Sequence, residues 1–96
     1  MTGIANRVVQ IFRKRTSMRL TLIEWEAINA ICQREHLPRK TLFELIDMNH
    51  DESMSLTASI RLFTIIYYKN LYTNASQRTD NQTFYNPVFE AIKGIV

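Results

Sequence analysis

Arg13-Lys14-Arg15-Thr16-Ser17-Met18-Arg19-Leu20-Thr21-Leu22 is the stretch that decides the fold. Read with period two, it has two faces. Arg13, Arg15, Ser17, Arg19 and Thr21 share one face, basic and polar, with no acid on it. Lys14, Thr16, Met18, Leu20 and Leu22 share the other, which turns apolar from Met18 onward. Alternation of this kind is the pattern of a half-buried strand. A lone short strand does not stand in water, so its apolar face needs something to sit on. Thr21-Leu22-Ile23-Glu24 then has capping-box spacing, with Thr at the cap and Glu three residues on. The stretch predicts a basic strand running straight into a helix. A two-faced basic ribbon suits the major groove of DNA, which is wide enough for a pair of strands.

Downstream, Trp25, Ile28, Ile31 and Cys32 fall at three- and four-residue spacings, which predicts a first helix over 21–36. Pro38 disfavours helical geometry at Leu37 and ends it. Pro38 itself opens a second helix at a position where a missing N–H costs nothing. Leu42, Phe43, Leu45 and Ile46 are its apolar positions, and it fades in Asn49-His50-Asp51-Glu52-Ser53. So short a join makes a helix-turn-helix-like corner. Ser55 caps a third helix that runs to about Tyr72. Leu56, Ile60, Phe63, Tyr67 and Leu71 form one stripe on it, and Leu62, Ile65 and Ile66 form a second. A helix apolar on two sides is buried on both, and this chain has little left to cover it. A second copy in a two-fold dimer is the expected cover.

Residues 73–86 are rich in Thr, Asn, Ser and Gln and read as a linker. Residues 87–96 read as a short helix with Asn86 as its cap and Val88, Phe89, Ile92 and Ile95 apolar. Upstream, residues 1–12 read as a short arm or an extension of the strand. The expected organisation is an N-terminal arm (1–12), one domain (13–72), and a polar linker with a short C-terminal helix (73–96).

The chain has 96 residues, 46% hydrophobic and 22% charged, which is ordinary globular composition and argues against disorder. Its net charge of +3 is unevenly placed. Residues 1–40 carry eight Lys or Arg against three Glu, while residues 41–96 carry four against six acids. Basic residues gathered at one end favour a polyanionic partner. Cys32 is the only cysteine, so an intrachain disulfide is excluded and a reducing compartment fits. Met1 to Phe12 lacks the apolar core of a signal peptide, and no apolar run approaches the ~20 residues that span a bilayer. A cytoplasmic, nucleoid-associated protein is expected.

Signals for chemistry are sparse. Asp47-Met48-Asn49-His50-Asp51 starts like a calcium loop, then places Glu52 where Gly is needed and Ala58 where the closing Glu belongs. Cys32 and His36 lie four apart on a helix, but only His50 remains as a third zinc ligand. There is no Gly-rich phosphate loop and no nucleophile elbow. No cofactor, metal or catalytic residue is expected, and an enzyme is the least favoured class.

The order of basic strand, helix, tight turn, helix and further helix resembles the ribbon-helix-helix family of bacterial transcription regulators. The resemblance is to the subgroup whose strand has the type Arg-Thr-Ser-x-Arg-Leu, here Arg15-Thr16-Ser17-Met18-Arg19-Leu20. It continues through Trp25-Glu26-Ala27, through Leu37 to Asp47, and through Ser55 to Phe63 and Tyr67-Tyr68, covering about residues 13–70. It implies a mostly α fold with one short strand per chain. Two chains then pair their strands antiparallel and interlock their helices as an intertwined homodimer. Met18, Leu20, Trp25, Ile28, Phe43, Ile60, Phe63 and Tyr67 would form the dimer core.

The ribbon would enter the major groove of double-stranded DNA, with Ser17, Arg19 and Thr21 reading bases. Arg15, at the ribbon's end, would read a base or touch phosphate. The N-terminus of the second helix, with Arg39, Lys40 and Thr41, would grip phosphate, and Arg13 and Lys14 would add sequence-blind attraction. Relatives often have Gly where this chain has His36, and a small polar cap where it has Pro38. The implied function is a sequence-specific repressor of transcription. One alternative is an antitoxin whose C-terminal tail wraps a protein partner, and another is a protein-interaction module with no DNA role.

Overall fold

The structure, a computed structural model, describes residues 3–76 and 86–96, without the side chains of 74–76. Two strands come first, β1 (Ile4–Ile11) and β2 (Lys14–Thr21). Four helices follow: α1 (Leu22–Glu35), α2 (Arg39–Asn49), α3 (Leu56–Ser76) and α4 (Pro87–Lys93). β1 and β2 pair antiparallel as one two-stranded sheet, in register from Ile4 opposite Thr21 to Ile11 opposite Lys14.

This corrects the expectation of one strand per chain. Residues 4–11 are a full strand, and β2 finds its partner within its own chain. The cause is a second period-two pattern. Val9 and Ile11 bury on the same side as Met18 and Leu20, all four at most 6% exposed. The hairpin's inner face is thereby sealed against the helices. Two further bonds tie β1 to α1. The Gly3 carbonyl accepts the Leu22 N–H at 2.8 Å, and the Ala5 carbonyl accepts the Trp25 indole N–H at 3.0 Å.

The turn consists of Phe12 and Arg13. Phe12 has φ 55, left-handed backbone that costs a non-glycine residue roughly 1–2 kcal/mol. Glu44 on α2 helps hold it there, its Oε2 accepting the Phe12 N–H at 2.6 Å.

α1 begins with the full capping box. Thr21 Oγ1 accepts the Glu24 N–H at 3.1 Å, and Glu24 Oε1 accepts the Thr21 N–H at 2.8 Å. It ends at His36, whose φ of 53 and ψ of 47 make a left-handed cap. The Leu37 N–H then returns to the Cys32 carbonyl at 2.9 Å, the six-to-one bond of a Schellman stop. Pro38 is corrected from the first helical residue to the cap before it: its backbone is extended, and α2 starts at Arg39.

The residues expected to form a dimer core are at most 1% exposed within the single chain. That placement corrects their role. Met18, Leu20, Trp25, Ile28, Phe43, Ile60, Phe63 and Tyr67 form part of the chain's own core. Part of the cover expected for the second side of α3 is intrachain, while Ile65 of that stripe stays 64% exposed. α4 packs on α3 and buries Val88, Ala91 and Ile92, with Ile95 just beyond its end. Gly94 lies so close that a Cβ there would sit 2.6 Å from Ile66 Cδ1. α3 continues past Tyr72 to Ser76, since no Gly or Pro interrupts the chain between Pro38 and Pro87. The rest of the expected linker, 77–85, lies outside the described residues. No described helix is long and apolar enough to cross a membrane.

Candidate nucleic-acid interface

The hairpin's outer face is built by register. Residues opposite one another across an antiparallel pair share a face. Gln10 therefore stands beside Arg15, Val8 beside Ser17, Asn6 beside Arg19 and Ile4 beside Thr21. All but Thr21 are exposed, and Thr21 is half-buried. Of the four residues expected to read bases, Arg15, Ser17 and Arg19 form one exposed row. Thr21 stands at its end, where its hydroxyl already accepts the Glu24 N–H as the cap of α1.

The sequence reading omitted the second row: Asn6, Val8 and Gln10. Their signal was present as alternation over residues 4–11. It was masked by Arg7 on the inner face and by a turn with no Gly, Asn or Asp.

No acid precedes Glu24 in the chain, so the ribbon carries only positive charge. Among the described residues, none of Arg7, Arg13, Lys14, Arg15, Arg19, Arg39 and Lys40 has a carboxylate within ion-pair distance. Arg13 and Lys14 are exposed at the hairpin tip. With Ile11, Phe12, Thr16, Asp47 and Leu56 they line a cleft of about 440 Å³. A second cleft, about 250 Å³, lies between Val8, Val9 and Gln10 of β1 and Arg39, Lys40 and Phe43 of α2. The start of α2 therefore borders the ribbon on the β1 side.

No side chain caps α2, so its first backbone N–H groups remain as donors with Arg39, Lys40 and Thr41 around them. Pro38, standing outside the helix, removes none of them. Arg39 lies 5.4 Å from the centre of the Trp25 ring and Arg7 lies 5.0 Å from it. Cation–π contacts of this kind hold each guanidinium by about 0.5–1 kcal/mol at exposed sites. Arg7 is thus a further cation at this edge.

β2 is braced by Arg61 of α3. Its Nε donates to Glu24 Oε2 at 2.7 Å and its Nη2 to the Arg19 carbonyl at 3.4 Å. Burial pushes the Glu24 carboxyl upward. The Thr21 N–H, the Arg61 guanidinium and the Thr21 hydroxyl outweigh it and hold the carboxyl below its ordinary value. Elsewhere, burial raises the Cys32 thiol, with Arg39 opposing it. Burial and the Tyr67 hydroxyl's 2.5 Å bond to Glu35 raise the Tyr67 phenol. Among the described residues, no three His, Cys, Asp or Glu side chains group closely enough to hold a metal.

The model of the ribbon-helix-helix domain matches residues 4–68, from the first residue of β1 into α3. The chain belongs to the ribbon-helix-helix family. The match includes β1, so this ribbon-helix-helix domain has both strands of its hairpin inside the family's own boundaries. No curated protein and no solved structure gives a match.

Proposed function

We propose that this ribbon-helix-helix protein binds double-stranded DNA in a sequence-dependent way and regulates transcription, most simply as a repressor. The observation that carries the proposal is the row Arg15, Ser17 and Arg19. It is exposed on an acid-free ribbon and flanked on the β1 side by Arg39 and Lys40 at an uncapped helix start. Arg is shaped to bridge guanine O6 and N7, and Ser can serve either base. The backbone donors of α2 and the cations Arg39 and Lys40, with Thr41, suit phosphate. Arg13 and Lys14 extend the charge to the ribbon tip. The function needs no cofactor and no catalytic group.

The antitoxin alternative needs a tail that is free to wrap a partner. Residues 88–95 instead bury Val88, Ala91, Ile92 and Ile95 in the chain's own core, which favours the regulator.

Selection of bound duplexes from a random pool tests the proposal, followed by titration of Arg19→Ala against the selected sequence. Arg19 is exposed, so the variant should fold normally. It should lose roughly 5- to 150-fold in discrimination, as for one bidentate base contact worth ~1–3 kcal/mol. Unaltered specificity in Arg19→Ala would remove β2 as the reader.

A further inference from the structure

We infer that the cleft at the hairpin tip binds a small organic monoanion with an apolar body, such as a medium-chain or aromatic monocarboxylate. The site does not depend on the proposed DNA binding.

The cleft exists because the inner face of β2 changes character toward the tip. Met18 and Leu20 are fully buried, but the same face runs on to Thr16, half-buried, and Lys14, exposed. A hydroxyl and a cation stand where two more apolar side chains would have closed the strand onto the helices. Asp47 of α2 and Leu56 of α3 contribute to the rest of the wall. The space is about 440 Å³, within the ~300–1,000 Å³ of small-molecule sites. Ile11, Phe12 and Leu56 give it an apolar lining. Phe12 is 47% exposed although it lines the cleft, so much of this aromatic residue has no cover. Its left-handed backbone, φ 55, is held by the bond from its N–H to Glu44. Non-glycine residues persist in that region only where the surroundings hold them, and they cluster at ligand clamps.

The charges fix the ligand class. Arg13 and Lys14 line the cleft, and neither has a carboxylate within ion-pair distance among the described residues. Their stems add apolar surface while their heads stay free to meet an anion. Asp47 lines the cleft too, but its carboxylate lies 3.7 Å from His50 Nε2. Two cations against one acid leave one positive charge, which suits a monoanion better than a dianion. The Thr16 hydroxyl makes no hydrogen bond among the described residues and can donate to a carboxylate oxygen. The smaller cleft beside Ile65, about 150 Å³, is a contrast: its cation, Arg61, is already bonded to its acid, Glu24, at 2.7 Å.

Titration of the nitrogen-15-labelled full chain with sodium octanoate, followed by amide chemical shifts, tests the site. Saturable shifts should cluster in residues 11–16 and at Leu56. Hexanoate should bind about fourfold more weakly than octanoate, as for two methylenes half-buried in an open cleft. Octylamine, which lacks the anion, and succinate, which lacks the apolar body, should give no saturable shifts there. Lys14→Ala should weaken octanoate by about tenfold, the loss of one charge-assisted contact. Asp47→Asn should tighten it, because a like charge leaves the wall. Lys14 is exposed, so circular dichroism should show a folded chain in Lys14→Ala. Shifts that never saturate, shifts centred elsewhere in the chain, or equal binding of octylamine each overturn the inference. So does unchanged octanoate affinity in both Lys14→Ala and Arg13→Ala. No duplex is present in the assay, so failure here leaves the proposed DNA binding untouched.

Discussion

Replacing Glu24 with Ala should cost this domain about 2 kcal/mol, because one carboxylate serves three connections. Its Oε1 accepts the Thr21 N–H at 2.8 Å, a part-buried hydrogen bond worth about 0.5–1.5 kcal/mol. Its Oε2 meets Arg61 at 2.7 Å, but the side chains are 28% and 47% exposed. That pair is worth only about 0.2–1 kcal/mol after solvent screening. Its position in the first turn of α1 adds about 0.3–1 kcal/mol against the helix dipole. The sign of the pH dependence follows from the lowered carboxyl. The group ionises more readily in the folded state, so its contribution is complete above the unfolded value near 4.5 and fades as pH falls through the folded value. Urea denaturation of parent and Glu24→Ala at pH 7, and at steps down to pH 3, measures both effects. The gap between the two proteins should be about 2 kcal/mol at neutral pH and should narrow on acidification. A gap below about 0.5 kcal/mol at pH 7, or one that does not change with pH, would refute the reasoning that this network braces the strand–helix junction.

Two further outcomes are expected. His36→Gly should raise the melting temperature, because His36 holds a left-handed cap at φ 53; the gain should be about 0.5–1 kcal/mol after the larger chain entropy of glycine is counted, read by thermal denaturation. Cys32 should resist alkylation at pH 7 in the folded protein and react quickly in denaturant, because burial raises its thiol pKa and lowers the thiolate fraction; intact mass against time with iodoacetamide checks this.

β2 and the capping box at Thr21 were legible in the sequence because their signals are local. Alternation of Met18 and Leu20 against Arg15, Ser17 and Arg19 needs only a few adjacent residues. Asn86 likewise lies next to what it caps, accepting the Val88 and Phe89 N–H groups at 3.0 and 3.1 Å. β1 was not legible, because what fixes it is remote. Phe12 turns without glycine because Glu44, 32 residues away, takes its N–H. Arg7 can face inward because Trp25, brought up by α1, offers its ring. The burial of the expected dimer-core residues within one chain was not legible for the same reason. Periodicity identified the buried residues, but it cannot say whose chain buries them, and the cover on α3 depends on Gly94 letting α4 approach Ile66. At the candidate site, the three exposed candidate residues on β2 followed from alternation, whereas Asn6 and Gln10 waited on the register.

The intrachain hairpin changes what binding costs. A ribbon assembled from two copies exists only when the copies meet, so its population depends on protein concentration. This ribbon closes through a two-residue turn within one chain. It is also fixed at three points along its length: the Phe12 N–H on Glu44, the Ala5 carbonyl on Trp25, and the Arg19 carbonyl on Arg61. These three tethers come from α2, α1 and α3 respectively, so every major helix holds the strands in place. Ordering a recognition element at the moment of contact subtracts from affinity, and an element already ordered avoids that loss. The backbone of the ribbon is therefore held in place before any partner arrives, and under the proposed function only exposed side chains such as Arg15 and Arg19 are left to be ordered by the groove.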